Sequence, residues 1–120
     1  MNRFLLSLAA AATFGALAAD TPEKVFNLSI VRGAVAPQQR LIRIQKGDAM
    51  RLRVTSDVPG ELHLHGYRLE AKVAPGRSSE IAFRAYATGR YPLEWHAAGD
   101  AGNSRSPHRP ALATLEVRPD

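Results

Sequence analysis

The stretch Glu61-Leu-His-Leu-His-Gly-Tyr67 carries two of the chain's four histidines, at alternate positions. On an extended strand, residues two apart share a face with Cα atoms about 6.6 Å apart. Two imidazoles so placed can converge on one ion through metal–nitrogen bonds of about 2.0 Å. Imidazole suits Cu(II), Zn(II), Ni(II) and iron, and Cu(II) is held most tightly in the usual divalent order. His63 and His65 are therefore the leading candidate ligands. His96, at the end of a later extended run, and His108, in a loop near the C-terminus, are the candidates for a third. Glu61 and Glu94 stand close to these histidines and can orient an imidazole from behind. A second reading stays open, because Leu62 and Leu64 alternate with the pair. His63 and His65 then simply occupy the wet face of a half-buried strand.

Other chemistries find less support. The chain has no cysteine, which removes thiolate nucleophiles and every thiolate metal site. Ser104, Ser106, Asp100 and His108 crowd one loop, but nothing in residues 103–108 resembles a nucleophile elbow, so no enzyme activity is expected. The formal charge is +5, yet the arginines are spread along the chain and alternate with apolar residues. A nucleic-acid footprint needs a clustered basic stripe, and none is expected here.

The elements that must position these histidines all read as strands. Residues 24–32 alternate with Phe26, Leu28 and Ile30 on one face, the period-two pattern of a half-buried strand. Residues 40–45 form a second such run, and Lys46-Gly47-Asp48 marks a turn. Met50, Leu52 and Val54 alternate with Arg51, Arg53 and Thr55. Residues 61–65 form the histidine strand, which Gly66 ends or kinks. Leu69, Ala71 and Val73 then oppose Arg68, Glu70 and Lys72. Residues 80–86 and 90–96 follow, the second with Tyr91, Leu93 and Trp95 on its apolar face. Pro92 lacks an amide donor, which places that run at an edge or a bulge. Residues 97–110 read as a loop, and 112–117 closes the domain. About seven to eight short strands separated by Gly/Pro turns predict an all-β, antiparallel Greek-key β-sandwich.

Residues 1–19 read as a secretory signal peptide, with Arg3 in a short positive region, an apolar run, and small residues set for cleavage after Ala18 or Ala19. The run is shorter than the roughly 20 apolar residues that span a bilayer. No membrane span is expected in the mature chain, residues 20–120, which should be periplasmic. About 100 residues suffice for one compact domain.

In order, Lys46-Gly47-Asp48, His65-Gly66-Tyr67, Ala74-Pro75-Gly76 before Ile81-Ala82-Phe83, Gly89-Arg90-Tyr91, and the final 113–117 strand resemble the cupredoxin superfamily. The similarity is greatest to small, cysteine-free exported domains such as the cupredoxin-like domain of periplasmic iron-uptake proteins. The resemblance implies a copper site with its first ligand at His65. Trp95 stands where the family's cysteine ligand falls, and the following loop offers His108 but no methionine. A blue electron-transfer site is therefore not expected. What remains is an exported protein binding copper through His63, His65, His96 and His108 in periplasmic metal handling, with a periplasmic protein as partner. The alternative is a metal-free sandwich serving as an interaction or accessory module.

Overall fold

The computed structural model describes residues 22–99 and 110–120. The leader read at 1–19 and the candidate ligand His108 lie outside the described residues. The chain forms β1 (Glu23–Ile30), β2 (Leu41–Gln45), β3 (Ala49–Ser56), β4 (Gly60–Leu64), β5 (Leu69–Val73), β6 (Ser79–Arg84), β7 (Gly89–Ala97) and β8 (Ala113–Arg118), with one 3-10 turn at Pro37–Gln39. Among the described residues no helix is long and apolar enough to cross a membrane.

The strands form a three-stranded sheet in the order β1-β3-β6 and a five-stranded sheet in the order β2-β8-β7-β4-β5. Strands adjacent in sequence often fall in different sheets, as β1 and β2 or β5 and β6 do, which makes the Greek-key sandwich expected from the alternation. The pairings β3–β6, β4–β5, β4–β7 and β7–β8 are antiparallel. The outer pairings β1–β3 and β2–β8 run parallel, a feature that alternation alone does not reveal.

Each strand turns its apolar row inward. Leu28, Ile30, Met50, Leu52, Val54 and Ile81 meet Ile42, Ile44, Leu62, Leu64, Leu93, Leu115 and Val117 across the gap between the sheets. With no disulfide available, this burial is what offsets the entropy of ordering the chain.

Pro92 corrects one expectation, since β7 lies between β8 and β4 rather than at an edge. The Pro92 carbonyl accepts a hydrogen bond from the His65 amide at 3.1 Å, so its proline nitrogen faces the same neighbour. The missing donor thus falls just past the end of β4 at Leu64, where the ladder stops and no bond is lost from a continuing strand.

The turn after β4 is held from below. Gly66 has φ +84°, and a Cβ there would run into the Tyr91 ring. The next residue, Tyr67, is buried and packs its ring 4.8 Å from Tyr91 and 5.0 Å from Phe83. Its hydroxyl donates to the Ala87 carbonyl at 3.0 Å. At the turn before β3, Asp48 accepts from Lys24 at 2.7 Å and from the Gln45 amide at 2.8 Å. Lys24 first, and the Gln45 amide second, hold its carboxyl below the usual carboxylate range.

Two predictions follow from these turns. Gly66→Ala must adopt a left-handed conformation, costing about 1–2 kcal/mol, and must also displace Tyr91, so urea denaturation should show a loss exceeding that range. A smaller loss would mean the ring yields freely. For Asp48, a carboxyl depressed on folding contributes stability that is present above its ordinary value of 3.8 and is lost as pH falls through the lower folded value. Asp48→Asn should accordingly flatten the acid limb of the stability curve below that pH, and an unchanged limb would count against the assignment.

Candidate metal centre

Because Leu62 and Leu64 are fully buried, β4 must present Glu61 and His63 on the opposite, outer face of the five-stranded sheet. The neighbouring strands set charged partners against them. Across to β7, Glu61 pairs with His96 and His63 with Glu94. Across to β5, His63 pairs with Glu70 and Glu61 with Lys72. His65 is the first residue beyond β4, in the turn, and is about half exposed.

Three of the four sequence candidates are thereby brought together. The His63 and His96 rings meet edge to face with centroids 4.9 Å apart, and His63 and His65 stack at 6.4 Å. Carboxylates run between them. His63 Nε2 lies 3.5 Å from Glu61 and its Nδ1 3.4 Å from Glu70. Glu94 Oε2 lies 3.1 Å from His65 Nε2 and 3.6 Å from His96 Nε2. Beside this patch a cleft of about 600 Å³ opens between Pro59, Glu61, His63, Lys72, Val73 and His96.

Sequence reasoning identified Glu61 and Glu94 but passed over Glu70. A signal for it existed: a tight turn after β4 returns the chain antiparallel, and the outward row Arg68, Glu70, Lys72 must then face the outward row of β4. Only the register, Leu64 opposite Leu69, puts Glu70 against His63.

The position implied by the family resemblance is built differently. His65 and Trp95 occupy opposite faces of the sheet, the first exposed and the second buried at 7 % exposure. His65 also lies at the end of β4 remote from the connection that follows β7, because Gly60 pairs with Ala97 and Leu64 with Leu93. At that far end the Trp95 ring packs over Gly60, where a Cβ would collide with the indole and come within 2.7 Å of the His96 carbonyl. The indole Nε1 is buried with no hydrogen-bond partner among the described residues. An indole N–H donates only and cannot ligate, so Trp95 does not fit the place of a copper ligand. Imidazole and carboxylate donors stand on the outer face instead.

No family model and no curated protein matches this sequence. Solved structures do match. One is a chain of a heme-copper terminal oxidase dimer, with TM-score 0.61 and 19% identity over 79% of this chain and 65% of that one. The multicopper oxidase mgLAC matches with TM-score 0.58 and 19% identity over 82% of this chain and 40% of that one. A copper binding protein in its apo form matches with TM-score 0.58 and 11% identity over 80% of this chain and 88% of that one. This chain thus spans less than two thirds of the oxidase chains it resembles. The neighbours share the cupredoxin fold, and this chain is a cupredoxin-like β-sandwich.

The Gly60–Trp95 contact is testable through the chain's one tryptophan. Gly60→Ala should lower the unfolding midpoint and shift Trp95 emission to the red as the ring is pushed toward water. Unchanged emission with unchanged stability would show that the pole has slack.

Proposed function

We propose that this chain is an exported protein that holds copper through surface histidines and acts in periplasmic metal handling rather than as a catalyst. The observation that carries the reading is the gathering of His63, His65 and His96 on one sheet face. Rings splayed over unrelated surfaces would have favoured a metal-free interaction module. Imidazole groups bind Cu(II) well, and proteins sharing the fold include a copper binding protein. The leader read at 1–19 supports export, and the absence of cysteine suits a site built from nitrogen and oxygen donors. A periplasmic protein that gives or takes the ion is the partner this reading implies.

A copper ion here would be held by His63 and His96, with His65 flanking, and would be reached directly from solvent. The protein's own part is to fix these rings on paired strands, so that little freedom is lost on binding.

Titration of residues 20–120 with Cu(II), followed by electron paramagnetic resonance, tests the reading. The expected spectrum shows nitrogen coupling, without the intense visible band of a copper–thiolate bond. In His63→Ala/His65→Ala the affinity should fall by at least about tenfold, the lower end of what loss of a merely supporting partner costs. Equal uptake by the double variant would falsify copper binding at this face.

A further inference from the structure

The cleft beside the histidine patch joins donor groups to an apolar surface. Its volume of about 600 Å³ falls in the range of small-molecule sites, roughly 300–1,000 Å³, which combine an apolar lining with a few convergent polar groups. Pro59, Val73, Ala97 and Ala98 supply the apolar lining. His96, Glu61 and Lys72 supply a polar row across three strands, because Glu61 pairs with His96 on β7 and with Lys72 on β5. His63, two residues along β4, also lines the cleft, whereas His65 does not.

Lys72 is the group the metal reading leaves unused. It stands directly opposite Glu61, yet the Glu61 carboxylate lies 3.5 Å from His63 Nε2, and among the described residues no acidic side chain closes on Lys72. An ammonium beside an apolar cleft is matched by a ligand that carries a carboxylate. The ion sets a second requirement. Two imidazoles fill two positions of the tetragonal nitrogen–oxygen arrangement that Cu(II) favours, which leaves two to be filled from the cleft. An α-amino acid fills two at once, through its amine and one carboxylate oxygen. Its second oxygen is then free for Lys72, its side chain for the apolar lining, and its amine N–H groups for the Glu61 carboxylate, which only accepts.

We infer that the cleft takes the ion as a chelate with a small apolar amino acid, Lys72 holding the carboxylate of that amino acid. The inference rests on copper held by His63 and His96 as proposed above, and it names the form in which the ion is carried. Of a copper ion bound to two amino acids, one leaves intact as the two imidazole nitrogens bind, and the other stays in the cleft.

Equilibrium dialysis of residues 20–120 against Cu(II) and radiolabelled leucine tests this, with copper and leucine counted separately. Wild type should retain one leucine for each copper ion, and none when copper is left out. Lys72→Met, shown to be folded by far-ultraviolet circular dichroism, should retain copper but bind leucine about two- to fivefold more weakly, the worth of an exposed ion pair. Leucinamide, which lacks the carboxylate, should show the same loss with wild type and no further loss with the variant. Copper retained without leucine would overturn the inference and leave the proposed function standing, with Glu61 and Glu70, which offer oxygens within 4.8 Å of a His63 nitrogen, as the further donors. Leucine retained equally by wild type and Lys72→Met would overturn it as well. No copper uptake, with or without leucine, would remove both.

Discussion

The structure depends on the burial of Leu62 and Leu64 in a strand flanked on both sides. β4 lies between β7 and β5, with Leu62 across from Trp95 and Ala71, and Leu64 across from Leu93 and Leu69. Side chains alternate along a strand, so a slip of one residue would turn both leucines to water and bury His63 instead. Burying a leucine is worth about 1.5–3 kcal/mol, whereas burying an imidazole without partners costs free energy. Both terms push the same way. The outward histidine follows from the inward leucines, and the partners that β5 and β7 supply follow from the same register.

The two outer faces of the sandwich handle charge differently. On the three-stranded sheet, Arg51 lies between Glu23 and Glu80, and Arg53 also reaches Glu80. Arg51 foremost, then Arg53, hold the Glu80 carboxyl below the usual range. An arginine keeps its charge at any working pH and donates only, so that face is closed to cations. On the five-stranded sheet, Arg43, Arg90 and Arg118 surround Glu116 at the β2–β8–β7 side, while at the β7–β4–β5 side imidazoles stand beside the carboxylates instead. A neutral imidazole has a lone pair to offer where a guanidinium has none, which is the chemical basis of the proposed metal site. One architecture thus carries arginine–carboxylate pairs on both outer faces and gathers imidazoles on one part of one of them.

Trp95 shows how packing closes the inner side of a strand end. The ring occupies the end of β7 that faces Gly60, and the glycine is what lets it lie there. Filling this space with an indole buries the ring and puts no ligand atom on the inner side of β7 at that point. On the outward side of the same strand Glu94 and His96 alternate with Trp95, and the His96 ring packs edge to face on that of His63. Function on this scaffold is accordingly a matter of which face a residue occupies, not of the fold itself.

Much of this was legible in the residues. The inward rows of all eight strands, the turns at Gly47, Gly66 and Gly76, and the outward placement of His63 follow from period-two alternation, because burial of apolar rows leaves each strand only one orientation. The edge placement suggested by Pro92 did not hold, since a missing donor matters only where a neighbour continues, and β4 has ended there. Glu70 escaped notice because its importance lies in a partner on another strand. Residue types and local spacing determine what each strand shows to water. Only the tertiary pairing decided that His96 comes to His63 and that Glu94 comes to His65. Those approaches join residues some thirty positions apart, and they are fixed by strand order and register, which short-range pattern does not encode.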